Sequence, residues 1–454
     1  MGRLFGTDGV RGVLNVEMTP QLALRLGSAI GTYLGAGSQV LVGRDARSGG
    51  EMLVSALAAG LMSMGVRVWN AGMLPTPALQ YAVRELGYDG GVMVTASHNP
   101  PEYNGIKVIA ADGIEVPRSV EAEIEAIFFE NRVKPVDWRG LAEGVRREEK
   151  ALEKYVDGVV SIVDRDRIAS CNYSVLVDPA NSVGALAAPL VLRRLGVKTY
   201  TLNGHIDPGF PGREPEPTTN SLMPSARVAV ALGVNLGVGF DGDADRAIFI
   251  DEKGRIHWGD RSGALLAAYL AEKHRDYPRR IYTGVSSSML VEEYLKPRGV
   301  QVVWMKVGSV DISRRLVEEK GLCGFEENGG FMNPAHQPVR DGSATLALML
   351  ELMSEEHLPA SALFDQLPRY YPVKTKIPMS REKALEALER VREAYKGERM
   401  ITIDGVKIIG EDYWVLVRPS GTEPVLRIMA EAKSREKVER IVEEVKKIVL
   451  GGAR

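Results

Sequence analysis

Short apolar runs, each closed by a polar stretch and a glycine, recur along the chain in one order. Val40-Leu41-Val42-Gly43 reads as a buried strand, followed by the polar, small-residue stretch 44–50, a helical run over 52–64, Gly65, and a second strand over 66–69 before Gly72. The order returns as Val175-Leu176-Val177, the stretch 178–184, a helix to Leu195, Gly196, a strand over 197–202 and Gly204. It returns again as Ile281-Tyr282-Thr283, the stretch 284–288, a helix to Lys296, Gly299, a strand over 300–305 and Gly308. Each unit predicts a strand, a crossover helix and a second strand, the element of mixed or parallel sheets covered by helices. The repeat glycines are unevenly spaced, so the pattern describes three α/β domains in series and not a solenoid array.

From about residue 372 the pattern changes. Ile401-Thr402-Ile403, Asp404-Gly405 and the run 406–409 predict a hairpin with a two-residue turn, and 414–418 and 425–432 predict further strands. A closing helix carries Val438, Ile441, Val442, Val445, Ile448 and Val449 at spacings of three and four. The expected fold is three similar mixed-sheet α/β domains in series plus a smaller C-terminal α+β domain around a central cleft. The expected spans are 1–150, 151–255, 256–370 and 371–454, with a helix starting near Glu149 joining the first two.

Composition narrows the function classes. At 454 residues, 45% hydrophobic and 26% charged, the chain is globular and too long for one core. Its 57 basic and 59 acidic residues leave a net charge of -2, which steers it toward neither nucleic acid nor an anionic membrane. No apolar run of about 18 residues occurs, and the first residues lack a signal-type apolar core, so a cytoplasmic location is expected. Cys171 and Cys323 lie far apart in no ligand spacing.

In open α/β sheets, ligands bind beyond the carboxyl ends of the strands. Three apolar strands open there into unusual loops: 92–94 into Thr95-Ala96-Ser97-His98-Asn99-Pro100, 236–240 into Asp241-Gly242-Asp243-Ala244-Asp245-Arg246, and 322–325 into Glu326-Glu327-Asn328-Gly329-Gly330. Three carboxylates on alternate residues, Asp241, Asp243 and Asp245, repel and raise one another's pKa unless a cation sits between them. Hard oxygen donors favour Mg²⁺ or Ca²⁺. A calcium EF-hand would need glycine at Arg246 and no strand over 247–250, although Glu252 occupies its twelfth position. Mg²⁺ is therefore expected, against a plain solvated acidic turn.

Ser97 fits a turn residue by composition, or a phosphoryl carrier if a metal and a base stand near it. His98 and Lys107 are the adjacent candidates for that base, and His98 equally fits a role in orienting the loop. A fourth loop, Arg418-Pro419-Ser420-Gly421-Thr422-Glu423-Pro424 with Arg427 beyond it, offers backbone donors and two guanidinium forks to a phosphate dianion.

In this order, Thr-Ala-Ser-His-Asn-Pro, Asp-Gly-Asp-Ala-Asp-Arg and Arg-Pro-Ser-Gly-Thr-Glu-Pro resemble the α-D-phosphohexomutases, over nearly the whole chain from Phe5 to the last helix. The resemblance implies a phosphorylated Ser97 whose phosphate, with Asp241, Asp243 and Asp245, holds Mg²⁺. It implies that Glu326, in a loop shared with Asn328, reads sugar hydroxyls, and that Arg11, Lys107 and Arg246 lie close to the transferred group. Arg418, Ser420, Gly421, Thr422 and Arg427 would hold the phosphate that is not reacting. The partner is then a small-molecule phosphosugar, and a hexose 1,6-bisphosphate serves as intermediate and activator; oligomeric state is left unassigned. A phosphoserine-dependent phosphatase and a silent phosphosugar-binding protein are the competing classes. One departure stands out: bacterial members carry Ser and His where this loop has Asn328 and Gly330. Phe-Gly-Thr-Asp-Gly-Val-Arg-Gly is similar to the glucosamine-phosphate branch, and Ser-His-Asn-Pro-Pro-Glu-Tyr-Asn-Gly to the mannose and glucose enzymes. Glucosamine phosphate is the first expectation, with mannose or glucose phosphate as the alternative.

Overall fold

A computed structural model describes residues 4–6, 8–420 and 424–452. The repeated pattern becomes three sheets that share a four-strand motif. In the first, Gln39–Arg44 lies parallel to Arg67–Met73 on one side and Gly90–Val94 on the other, and Gly90–Val94 pairs antiparallel with Tyr103–Ala110. Ser174–Asp178, between Lys198–Thr201 and Leu236–Phe240, does the same, with Ala247–Asp251 as the antiparallel neighbour. Arg280–Gly284, between Gln301–Met305 and Cys323–Phe325, completes the series with Phe331–Asn333. The three polar loops of the sequence are thus equivalent: each joins the third strand of its motif to the antiparallel fourth.

Local chemistry explains the repeat. Val40, Leu41 and Val42 are fully buried, as expected of a strand covered on both faces. The helices Gly50–Ser63 and Gly184–Arg194, and the short helix Leu290–Leu295 with its 3-10 extension Lys296–Arg298, each lead into a left-handed glycine, at Gly65, Gly196 and Gly299. Only glycine adopts that conformation without a Cβ clash, and it turns the chain back toward the sheet.

The fourth sheet is antiparallel throughout, in the order Tyr371–Pro378, Val425–Ala432, Tyr413–Pro419, Val406–Ile409, Arg399–Ile401. All six apolar residues of the closing helix pattern are buried in Arg435–Val449. Two details depart from the sequence pattern. Tyr371–Pro378 is a strand despite its prolines, which the sheet tolerates because it is an edge strand. The hairpin is also offset: its first strand ends at Ile401, leaving residues 402–405 as a four-residue connection with Ile403 exposed. Gly405 (φ 80°) explains the offset, since a Cβ there would lie 2.3 Å from the Val417 carbonyl. The turn lies flush on the neighbouring strand instead of continuing its own.

One apolar cluster runs from Leu41 through Val177 and Phe240 to Phe325 and Phe364, so the first three sheets share a continuous core. The helix Ala151–Ser161 stitches them together; Gly158 abuts the Tyr81 ring, and the Tyr155 hydroxyl donates to Asp341 Oδ1 at 2.6 Å. The C-terminal sheet has its own core and meets the third sheet through a small cluster of Val285, Met289, Trp414 and Leu416. No helix among the described residues is long and apolar enough to cross a membrane.

Candidate active site

Ser97 is fully buried at the head of its loop and holds a left-handed backbone (φ 51°), a conformation that costs an L-residue about 1–2 kcal/mol. The loop is held there by buried partners. Ser97 N donates to Thr95 Oγ1 (2.8 Å), Thr95 donates to Asp45 Oδ2 (2.6 Å), and Asp45 pairs with Arg47. Arg47 in turn donates to the carbonyls of Ser97, Asn99, Pro100 and Tyr103 at 2.5–3.0 Å. The strain fixes the direction of the side chain: Ser97 Oγ donates to Asp241 Oδ2 at 2.7 Å and stands 3.3 Å from His98 Nδ1.

Asp241, Asp243 and Asp245 are buried and bring carboxylate oxygens within 4.8 Å of one another. Asp241 is raised, by burial and then by the charges of Asp245 and Asp243. Burial would also raise Asp243, but Lys107, the Thr76 hydroxyl at 2.6 Å and Arg340 hold it below its usual range. The correction has a structural cause. Lys107 Nζ reaches Asp243 (3.1 Å), Asp245 (3.4 Å) and Asp8 (3.3 Å), and Arg340 Nη2 reaches Asp245 (2.6 Å) and Asp8 (3.0 Å), so two cations already relieve the repulsion. Burial works against the Lys107 ammonium, but the carboxylates outweigh it and keep the amine charged.

A divalent cation fits this cage. Asp243 Oδ1 and Asp245 Oδ1 are buried and make no hydrogen bond among the described residues, and three convergent carboxylates form a hard-oxygen donor set. Glu252 is not part of it; its Oε2 accepts from Ser361 N, which removes the EF-hand reading.

The other expected residues surround the cage. Arg11 donates to Asn99 Oδ1 (2.7 Å), Ala96 O (3.3 Å) and Asp8 Oδ2 (2.9 Å), bracing the serine loop. Arg246 Nε lies 3.8 Å from both Asp241 and Asp245 and has no hydrogen-bond partner among the described residues. His98 is held well below its usual pKa by burial and by Arg246, Arg11 and Arg340, which leaves a neutral imidazole. Glu326 Oε1 accepts from Gly308 N at 3.1 Å, and its Oε2 lies 3.6 Å from Arg340; burial raises its pKa against both Arg340 and Arg246. Asn328 Oδ1 accepts from Gly330 N within its own turn, so its amide nitrogen is the group left to present.

On the C-terminal sheet, Arg418 and Arg427 are directly opposite on paired strands. Arg418 Nε is paired there with Asp404 Oδ2 at 2.8 Å. Arg418 and Ser420 line a cavity of about 590 Å³, shared with Lys306, Arg118 and Arg381. Gly421 and Thr422 lie outside the described residues. Sequence reasoning missed Arg47, Thr76, Asp8 and Arg340. For Arg47 and Arg340 the available signal was a pair of opposite charges at or just past a strand, as in Arg44-Asp45-Ala46-Arg47 and Val339-Arg340-Asp341.

Comparison with known proteins matches this architecture domain by domain. Residues 2–134, 153–254 and 258–371 match the phosphoglucomutase/phosphomannomutase alpha/beta/alpha domains I, II and III, and residues 375–448 match the C-terminal domain. The chain belongs to the phosphoglucomutase/phosphomannomutase family. It is therefore a phosphohexomutase, an isomerase of the intramolecular phosphotransferase class. Among curated relatives of this phosphohexomutase, the phosphoglucosamine/phosphogalactosamine mutase of Sulfurisphaera tokodaii is 56% identical over 99% of this chain and 100% of that protein. A phosphoglucomutase/phosphomannomutase of Thermococcus kodakarensis is 42% identical over 98% and 97%. Among solved structures, a family protein from Burkholderia thailandensis superposes with a TM-score of 0.87 at 26% identity, covering 99% of this chain and 98% of its own.

Proposed function

We propose that this phosphohexomutase interconverts the 6- and 1-phosphates of glucosamine, using Ser97 as the phosphoryl carrier and a hexose 1,6-bisphosphate as intermediate. The observation that carries the reading is the 2.7 Å contact of Ser97 Oγ with Asp241, at the mouth of a three-carboxylate cage. The phosphate on Ser97 with Asp241, Asp243 and Asp245 would hold Mg²⁺, which when bound neutralises charge on the transferring phosphoryl oxygens.

In the forward half-reaction the bond from Ser97 Oγ to phosphorus breaks as a free sugar hydroxyl oxygen bonds to the same phosphorus, and the hydroxyl proton passes through a base to Ser97 Oγ. The bisphosphate then turns over, its other phosphoryl bonds to Ser97 Oγ, and the serine proton passes back through the base to the sugar oxygen released. His98 is the base by geometry, because its Nδ1 is 3.3 Å from Ser97 Oγ while Lys107 Nζ is directed at three carboxylates. Arg11 orients the loop, and Arg246, whose Nε makes no hydrogen bond among the described residues, faces the transferred group. Glu326 reads the sugar, with the Asn328 amide beside it. Arg418, Ser420, Gly421, Thr422 and Arg427 hold the phosphate at rest.

Exposure of phosphoserine to water would turn the enzyme into a phosphatase, so the C-terminal domain closes over bound substrate. Its separate core and small apolar docking cluster support that motion. The sugar assignment is supported by the 56% identical relative named for glucosamine and galactosamine phosphates. Intact mass before and after incubation with glucose 1,6-bisphosphate, with peptide mapping, tests the carrier: one added phosphate on Ser97 is expected, and none, or one elsewhere, refutes it. Rates on glucosamine, mannose and glucose 6-phosphates measured side by side test the sugar, and a faster rate on mannose or glucose phosphate overturns that part.

A further inference from the structure

Asp404 lies in the turn 402–405, outside every loop assigned above, and touches two domains through one atom. Its Oδ2 accepts from Arg418 Nε at 2.8 Å and from the backbone amide of Val307 at 3.1 Å. Val307 belongs to the third domain, in the segment between the strand Gln301–Met305 and the helix Ser309–Glu318. The next amide in that segment, Gly308 N, donates to Glu326 Oε1 at 3.1 Å, and Glu326 Oε2 faces Arg340, which holds Asp245. A continuous polar path therefore runs from the arginine of the phosphate clamp to the sugar-reading carboxylate and on to the metal cage.

The turn is built to place this carboxylate. Gly405 lies so close to the Val417 carbonyl and the Arg418 backbone that no side chain fits, which seats Asp404 beside Arg418. Holding Arg418 by its Nε leaves the two terminal nitrogens of the fork, which have no hydrogen-bond partner among the described residues, to face an anion.

We propose that Asp404 is a positioning residue that couples the C-terminal phosphate clamp to the sugar-reading loop by sharing one carboxylate oxygen between Arg418 and the Val307 amide. The proposal rests on the reading of Arg418 as a phosphate ligand. A phosphate on Arg418 sets the position of Asp404, Asp404 sets the 307–308 segment, and that segment sets Glu326. The distance between the resting phosphate and the sugar is then fixed only when the C-terminal domain is docked.

The test compares Asp404→Ala, Asp404→Asn, Arg418→Ala and the Asp404→Ala/Arg418→Ala double variant with the full-length enzyme. Loss of a charge-assisted hydrogen bond that orients a ligand corresponds to roughly a tenfold or greater rise in KM for glucosamine 6-phosphate, with a smaller change in kcat. Asp404→Ala is expected to show that rise, and to add little in the Arg418→Ala background because it acts through Arg418. Inorganic phosphate is expected to slow hydrogen exchange at the Val307 and Gly308 amides in the native enzyme and in Asp404→Asn, whose side-chain oxygen still accepts, but not in Asp404→Ala. A normal KM in Asp404→Ala, a full additional effect in the double variant, or equal protection of both amides without the carboxylate overturns the proposal. An unchanged KM in Arg418→Ala instead overturns the clamp assignment itself.

Discussion

Arg340 occupies the space that a side chain on Gly330 would fill. A Cβ on that glycine would stand 2.3 Å from Arg340 Cδ and 2.7 Å from its Cγ. The absence of a side chain at position 330 is what lets the guanidinium pass the 326–330 loop and reach Asp245, Asp8 and Glu326, one partner from the aspartate loop 241–246, one from the N-terminal segment and one from the 326–330 loop itself. The guanidinium arrives from the end of the strand Gln337–Arg340.

Gly330→Ala should displace Arg340. Overpacking of this kind costs about 1–3 kcal/mol, and the loss of the three contacts should lower kcat/KM by roughly tenfold or more. Thermal unfolding and steady-state kinetics check both. Wild-type stability and activity in Gly330→Ala would show that Arg340 has another route to its partners.

Ser97 separates strain from chemistry. Ser97→Ala and Ser97→Gly both remove the proposed carrier oxygen and should lower turnover by several orders of magnitude. They differ in backbone. At φ 51° alanine keeps the steric conflict that glycine lacks, so Ser97→Gly should be more stable than Ser97→Ala by about 1 kcal/mol. Equal denaturation midpoints would mean that the loop relaxes once the hydroxyl is gone.

What the sequence made legible was periodic or local. Fully buried runs such as Val40-Leu41-Val42, followed by a glycine that ends the helix, repeat three times and specify the first three sheets. The aspartates on alternate residues are a contiguous signal, and so is the serine loop. The hairpin was misplaced by two residues because its turn is set by the non-local fit of Gly405 against Val417. Arg340 and Arg47 went unread for the same reason: one ends the short strand Gln337–Arg340, the other lies three residues past the strand Gln39–Arg44, and the meaning of each lies in partners tens to hundreds of residues away. Asp45, Thr95 and Arg47 hold the serine loop from below, a relation visible only once their strands are neighbours.

The junction of the third and fourth domains should respond to pH. Burial lowers Lys407 to about 7, against the nearby Glu431, Asp260, Glu327 and Glu292 carboxylates. Burial and Asp260 raise Glu431 to about 7, against its bonds from Ser288 and Trp414 and the charge of Lys407. A carboxyl whose folded pKa is raised contributes stability below its unfolded value, near 4.5, and loses it as pH rises through 7. An amine whose folded pKa is depressed contributes stability above 10.5 and loses it as pH falls through 7. Relative to Lys407→Met/Glu431→Gln, the native chain should be least stable near pH 7 and gain toward both sides. Thermal unfolding of the two chains from pH 5 to pH 9 reads this directly, and a difference that rises or falls monotonically would contradict it.

Removal of the divalent ion should separate the enzyme's two sets of cations. Lys107 and Arg340 keep Asp8, Asp243 and Asp245 partly neutralised, so the fold should survive chelation with only a modest loss of stability. Activity should not, because a lysine and an arginine that both hold carboxylates leave the transferring phosphoryl oxygens without a counter-charge. Chelator-treated protein is expected to unfold cooperatively and to be inactive. Mg²⁺ should restore turnover and raise the unfolding temperature as the ligand saturates. Asp243→Asn should weaken that Mg²⁺ response while leaving the Thr76 bond a side-chain oxygen to reach. Full turnover in the chelated enzyme, with no gain on adding Mg²⁺, would mean that the two resident cations suffice and that the three aspartates serve only to hold them.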